Sequence, residues 1–415
     1  MSQDAKRRRL AALLAACGGL QGADPGDALD RQRRLFPALE SKAYFNYGGQ
    51  GPLPQPARDA IVEAFDQLQV EGPFSIESNL WAREVRARAR QGLADFLGGR
   101  AADYSLTESI TTAVNIVLWG LEVAAGDHVV VSDAETPGVL SAVRQWARRR
   151  RLEVSVCDLL GRPQGRLEAL AAALRPRTRL VIVSHVLWNS GEVQPIAEMA
   201  ALCRRHGSRP RLLVDGGQSV GQLDLDLAIC GADYYAFTAQ KWCCGPAGVA
   251  ALYVAPGAAD SLEPTFAGWR GLVPDSDYRL RSDGRRFEVG SSSLPLLAGL
   301  AAALTVHGQW GSAAERAAAG RGKAAELARW LTSLAGVELL TPVPETGIVA
   351  LRCPRPRQVV ADLEAQGILV REMASPHCLR VCTHYLTSGR DLERLRVALA
   401  EALERLPVEA GEALP

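Results

Sequence analysis

Between about residues 57 and 260 the chain alternates short, almost continuous apolar runs with longer stretches in which apolar positions recur at helical spacing. The runs at 128–132 (HVVVS), 152–157 (LEVSVC), 179–184 (RLVIVS), 211–215 (RLLVD), 233–238 (DYYAFT) and 248–254 (GVAALYV) predict strands. Because they are apolar at successive positions rather than alternate ones, they fit a sheet covered on both faces. Helical stretches at 138–151, 166–174 and 195–206 fall between them, the pattern of βαβ crossovers and so of a mostly parallel sheet. A Gly/Pro/Asp-rich segment, 263–290, interrupts the alternation. Beyond it a helical region at 294–334 leads to short strands at 347–352, 368–371 and 379–383, interleaved with helices at 355–366 and 388–406. The expected class is α/β, a large domain with a mostly parallel, helix-covered sheet and a smaller C-terminal α+β domain. We set the large domain at 46–290 and the small one at 291–415, with 1–45 packing against the small domain.

Composition narrows the function classes. With 47% hydrophobic and 22% charged residues the 415-residue chain has the usage of a globular protein. Its 47 Lys and Arg against 46 Asp and Glu leave a net charge of +1, which argues against nucleic-acid binding. The nine cysteines are odd in number and none is spaced as CxxC, so neither a disulfide framework nor a metal site is expected. A reducing, cytoplasmic setting fits. Lys6-Arg7-Arg8-Arg9 followed by Leu10 to Cys17 has the outline of a secretion signal with a lipoprotein-type box. Its apolar run is at the short end for a signal, so an Ala/Leu-rich helix is the expectation. No stretch approaches the ~18 consecutive apolar residues of a membrane span.

The residues with chemical promise lie at predicted strand ends, where open α/β sheets bind ligands. Asp215 closes the run LLVD and is followed by Gly216-Gly217-Gln218-Ser219, so a carboxylate is presented with room for a ligand to approach. Lys241 follows the strand at 233–238 with Gly245-Pro246 behind it, which places it at the mouth of the sheet. Taken singly, an Asp there is a common turn former and a Lys a common surface charge. Upstream, Ser105-Leu-Thr107-Glu108-Ser109-Ile110-Thr111-Thr112 concentrates hydroxyls at a helix start, where free N–H groups favour an anion. Ser105 and Glu108 also have capping-box spacing, which would complete the helix end without a ligand. Neither GxGxxG nor GxxxxGK[ST] occurs in the expected places, so a dinucleotide or P-loop nucleotide is not supported.

In this order, the hydroxyl-rich helix start, strand-end Asp and later Lys resemble the pyridoxal-phosphate (PLP) enzymes of the class V aminotransferase superfamily, which includes the cysteine desulfurases. The nearest likeness is to bacterial L-cysteine/L-cystine C–S lyases. It is carried by Tyr44-Phe-Asn-Tyr-Gly-Gly-Gln-Gly-Pro52, by the stretch from Thr107 to Gly120, and by Ser184-His-Val-Leu-Trp-Asn-Ser-Gly191. Val214-Asp-Gly-Gly-Gln-Ser-Val-Gly221, Lys241-Trp-Cys-Cys-Gly-Pro-Ala-Gly-Val249, Phe287-Glu-Val-Gly-Ser291 and Leu379-Arg-Val-Cys-Thr-His-Tyr385 complete the set.

The resemblance implies the fold type I of PLP-dependent transferases and a homodimer with shared active sites. It implies that Lys241 carries the cofactor as a Schiff base and moves the Cα proton, and that Asp215 keeps the pyridine nitrogen protonated. Gln218 would donate to the phenolic oxygen. Ile110, Thr111 and Thr238 would serve the phosphate, with Thr136, Asn189 and Gln240 also at the cofactor. Ser291 would reach the phosphate of the neighbouring subunit. Arg380 would take the substrate carboxylate, because a guanidinium matches it bidentately. Arg371 is a second candidate or a solvated charge, while Asn46 and Trp269 would line the substrate side unless Trp269 is a core residue.

Two positions depart from the family. Thr136 stands where a His usually stacks on the ring, so another group, such as Trp188, must cover it or the cofactor is held less tightly. Gln240 stands where His commonly precedes the lysine; it donates a hydrogen bond but does not titrate. The long insertion that carries a desulfurase's nucleophilic Cys is missing between Ile368 and Arg380, and Cys378 sits on a predicted strand as a buried thiol. The expected reaction is therefore β-elimination from cysteine, cystine or a cysteine S-conjugate. An aminotransferase, or a desulfurase without the mobile-loop Cys, is the alternative.

Overall fold

The computed structural model describes residues 25–406, apart from 161 and 163. The Lys6–Cys17 segment lies outside the described residues. After the helix Pro25–Arg33 comes a short strand, β1 (Ala43–Tyr44). The main sheet is built from β2 (Tyr104–Thr107), β3 (His128–Ser132), β4 (Glu153–Cys157), β5 (Thr178–Ser184), β6 (Arg211–Asp215), β7 (Tyr234–Thr238) and β8 (Ala250–Val254). Their spatial order is β2-β8-β7-β6-β5-β3-β4. All pairings from β4 to β7 are parallel, and β8 runs antiparallel to both β7 and β2. The crossover helices Pro137–Arg150, Arg166–Ala173 and Ile196–Arg205 cover the faces. Every residue of β3, β7 and β8 is buried, as their continuous apolar runs require, whereas edge strand β4 leaves Val156 64% exposed.

The remaining strands are β9 (Glu338–Leu339), β10 (Ile348–Arg352), β11 (Ile368–Leu369), β12 (Arg371–Ala374) and β13 (His377–Cys382). An antiparallel sheet β12-β13-β10-β9 packs with the helices Ala313–Leu331, Pro356–Ala365 and Gly389–Glu404. The strand predicted at 368–371 is two elements, because Ile368 pairs with Ala43 of β1 while Arg371 pairs with Arg380 of β13. Ala43 and Phe45 share their core with Val349, Leu379 and Leu395.

The predicted helix 294–334 breaks at Gly311-Ser312. Ser312 Oγ accepts from Glu315 N at 3.2 Å while Glu315 Oε2 accepts from Ser312 N at 2.7 Å, a capping box that starts a second helix. The two halves serve different cores. Leu297, Leu300 and Leu304 of Leu294–Trp310 lie in the cluster around Val181, Leu212 and Val214 of the main sheet, whereas Ala324, Leu327 and Leu331 of Ala313–Leu331 join the small one. The boundary drawn at 291 is corrected accordingly: the first helix packs with the large body, against Gln55–Glu71 and Ile76–Leu97.

Among the described residues no helix is long and apolar enough to cross a membrane. Leu300 is 1% exposed within the main core. Leu300→Ala should cost about 2–5 kcal/mol by urea denaturation; a loss below about 1 kcal/mol would show that this helix does not belong to that core.

Candidate functional site

Asp215 ends β6 with 6% of its surface exposed, and its Oδ1 accepts from Gly217 N at 2.8 Å. Gly216 continues the ladder through its N–H to Ala236 O at 2.7 Å, and a side chain there would run into the Tyr235 ring. Gly217 marks the centre of the site. A Cβ on it would stand 3.0 Å from Asp215 Oδ1, 3.2 Å from Ile110 Cδ1 and 3.3 Å from Lys241 Nζ, so three residues from three elements converge on one small space. Lys241 is half-buried just beyond β7. Burial lowers its ammonium to about 8, against the pull of Asp215, and Arg380 and Arg371 push it the same way. The Asp215 carboxyl is raised by burial and held back by Lys241 and the Gly217 amide.

The helix Ile110–Gly120 begins beside this point. Ser109 caps it, its Oγ accepting from Thr112 N at 3.0 Å. The capping box expected from Ser105 and Glu108 does not form, because Ser105 is in β2, paired opposite Leu252 of β8. Thr111 Oγ1 and Thr136 Oγ1 lie 3.8 and 3.9 Å from where a Cβ on Gly138 would be, so two helix starts bring hydroxyls together. The first-turn amides of Ile110 and Thr111 carry the positive end of the helix dipole. Thr238, at the end of β7, donates from Oγ1 to Gln240 Oε1. The side chain of Trp188 packs with Ala350, Met373 and Cys378 of the small sheet.

A second group faces Lys241 from the small sheet. Arg380 on β13 is 1% exposed and donates from Nη1 to Trp188 O at 2.6 Å, but its Nε and Nη2 have no partner. A Cβ on Gly48 would lie 3.0 Å from both Nη2 and Cys382 Sγ, so glycine is needed where this loop passes the guanidinium. Asn46 bridges to Cys382, and its buried Oδ1 is also unpartnered. Such orphaned groups are expensive unless a ligand completes them. Asn189 accepts from Ser190 N at 3.0 Å and donates to Ser375 O at 3.4 Å. Gln218 donates from Nε2 to Gly48 O and accepts at Oε1 from Trp242 Nε1, both at 2.9 Å, which leaves it one free N–H. Arg371 is exposed on β12, directly across the ladder from Arg380.

Ser291 and Trp269 form a separate surface within one chain. Trp269 Nε1 is 3.9 Å from where a Cβ on Gly290 would be, and Ser291 lines a cavity of about 350 Å³ with Thr107, Thr112 and Arg270. Trp269 is 64% exposed with the Arg270 guanidinium 4.7 Å over its ring, which corrects its reading as a core residue.

Two features escaped the sequence reading. Glu135, just after β3, is 3% exposed and accepts from Ser132 Oγ at 2.6 Å, Ser184 N at 2.6 Å and Ser184 Oγ at 2.8 Å. Burial, with Asp215 adding to it, pushes this carboxyl up to about 7. The only sequence signal was a carboxylate after a strand, which reads equally as a turn. The second feature is a buried staple behind Lys241. His384 Nε2 bonds Trp242 O at 3.1 Å, His307 Nε2 bonds Cys243 O at 2.8 Å, and Tyr47 stacks on His384 at 4.4 Å.

The family described as Aminotransferase class-V matches residues 43–408. The chain is 31% identical to isopenicillin N epimerase of Streptomyces clavuligerus over 396 residues, covering 88% of this chain and 94% of that one. It is 27% identical to a probable cysteine desulfurase of Methanothermobacter thermautotrophicus, covering 89% and 96%. Among solved structures it resembles a complex of the cystine C–S lyase C-DES with its reaction product cysteine persulfide, at TM-score 0.85 and 40% identity, covering 88% of this chain and 99% of that one.

An amine with a pKa near 8 is a free base at a lower pH than an ordinary lysine. The rate at which PLP added to the cofactor-free protein acquires the absorbance of a lysine linkage should rise with pH and level off above about 8. A rate still climbing toward the ordinary lysine value would show that burial does not tune Lys241.

Proposed function

We propose that this chain, which belongs to the class V aminotransferase family, is a carbon–sulfur lyase that eliminates sulfur from cystine, cysteine or a cysteine S-conjugate. PLP is the cofactor of this family. The donor set suits it: hydroxyls and free amides at a helix start for the phosphate, Asp215 for the pyridine nitrogen and the Lys241 amine for the aldehyde. When bound, PLP supplies an electron sink that acidifies the Cα–H of an amino acid.

The chain's own groups do the rest. Arg380 offers its unpartnered Nε and Nη2 to the substrate carboxylate. Asp215, held by the Gly217 amide, would accept a hydrogen bond from the ring nitrogen. Lys241 Nζ takes the Cα proton, and the Cβ–S electron pair leaves with sulfur. From cystine this gives cysteine persulfide and an enamine that water converts to pyruvate and ammonia.

The observation that carries elimination over persulfide transfer is the state of the thiol ahead of Arg380. Cys378 lies within β13, fully buried, and burial raises it to about 11, so it is neither accessible nor a thiolate. The 40% identity to C-DES supports the same choice. The isopenicillin N epimerase relatives support a competing reading, in which Lys241 returns the proton to Cα without loss of sulfur.

We also propose a homodimer, supported by exposed Phe74 and Ile76 (90% and 76%) and by the exposed Phe266 near Ser291 (70%). The described cysteines are free, which supports a cytoplasmic setting.

The holoenzyme with cystine should release pyruvate and ammonia in equal amounts with no keto-acid acceptor added, and Lys241→Ala should abolish this. Arg380→Ala should lower kcat/KM about ten- to a hundredfold, the size of a lost charge-assisted hydrogen bond, while Cys378→Ala leaves turnover unchanged. Inversion of the amino acid without pyruvate would favour the epimerase reading, and amino-group transfer to a keto acid would favour the aminotransferase.

A further inference from the structure

Glu135 and Asp215 are buried carboxyls on either side of one residue. In the sheet order β6-β5-β3, Asp215 ends β6, its Cα partner Ser184 ends β5, and Glu135 follows β3. Ser184 is bound to Glu135, and the residue after it to the backbone of Asp215. The Ser184 N–H and Oγ go to Glu135 at 2.6 and 2.8 Å, and the next amide, of His185, goes to Asp215 O at 2.9 Å.

The cations are unevenly placed. Asp215 has Lys241, whose Nζ shares the space beside Gly217. Among the described residues Glu135 is hydrogen-bonded only by hydroxyls and an amide, from Ser132 on β3 and Ser184 on β5. The other titratable groups nearby are turned elsewhere. Asp133 accepts from the amides of Leu159 and Leu160 at 2.8 and 3.0 Å, and His185, kept neutral by burial, bonds Tyr235 Oη at 2.8 Å. Two buried anions cannot both be compensated by one lysine, so such a pair retains a proton.

We propose that Glu135 is a positioning residue for the cofactor site, holding the proton of this carboxyl pair so that Asp215 stays anionic toward the pyridine nitrogen. The geometry accommodates the proton without rearrangement. Glu135 Oε1 keeps its two donors, while Ser184 Oγ, a donor to the ionised form, turns to accept from protonated Oε2. The opposite placement, with the proton on Asp215 and Glu135 ionised, would leave the ring nitrogen without its anionic partner. The inference rests on the placing of PLP at Asp215 and Lys241 and not on the choice of lyase, because its readouts are cofactor affinity and spectrum rather than products.

Glu135→Gln has the shape and neutrality of the protonated acid, donating from Nε2 to Ser184 Oγ. PLP dissociation constants and visible spectra of the holoenzyme across about pH 6 to 9 should separate the cases. Glu135→Gln should match the wild type in PLP affinity and spectrum below the Glu135 value near 7 and part from it above, where only the wild type gains a second anion beside Asp215. Glu135→Ala, which leaves Ser184 unpartnered, should weaken PLP about tenfold throughout. Equal losses in the Gln and Ala variants would overturn the proposal, because they would mean that a charged Glu135 is required. Coincident wild-type and Gln profiles would overturn it too. Should the Gln variant not fold, infrared spectra of wild-type holoenzyme with carbon-13-labelled glutamate decide: a buried protonated carboxyl band near neutral pH supports the proposal, and its absence refutes it.

Discussion

Burying Asp215 beside Lys241 is favourable only if each charge compensates the other, and only a rigid frame keeps them in register. β6 and β7, paired in parallel with Asp215 opposite Ala236, provide that frame. Gly216 and Gly217 allow the chain to turn there, the first passing the Tyr235 ring and the second leaving a space bounded by the carboxylate, the amine and Ile110. Burial lowers the Lys241 amine and raises the Asp215 carboxyl, and the charge of each opposes that shift in the other. A site poised in this way suits proton transfer near neutral pH.

The rest of the molecule converges on that pair. The staple of His384, His307 and Tyr47 fixes the segment after Lys241 against the helix Leu294–Trp310, which explains why that helix belongs with the large body. From the other side, β13 delivers Arg380 with two nitrogens unpartnered, and the loop 46–49 closes over it through Gly48. Helix starts at Ile110 and Pro137 supply hydroxyls and amides at the third edge. Cation, anion and polar donors are thus distributed around one space rather than along one surface.

Much of this was legible in the chain because burial leaves a direct mark on composition. The strands from β3 to β8 fall within two residues of their apolar runs, and Asp215 and Lys241 stand at the strand ends where the pattern puts them. β2 was hidden because Tyr104–Thr107 has only one aliphatic residue and borders a hydroxyl cluster that imitates a helix cap. The helices Gln55–Glu71 and Ile76–Leu97 expose Phe65 and Leu80, so their apolar positions do not define a single face. Side-chain direction was the least accessible. Trp188 turns to the small sheet, and Trp269 lies exposed beside Arg270, because packing partners distant in sequence decide both. Glu135 could not be told from a turn residue until Ser132 and Ser184 were seen around it.

The central claim is that the amine beside Asp215 is the cofactor's point of attachment. Borohydride reduction of the PLP-loaded protein, followed by peptide mass spectrometry, tests it directly. The account predicts a pyridoxyl-phosphate mass on the peptide containing Lys241 and on no other lysine; label on a different lysine, or none after loading, would contradict it.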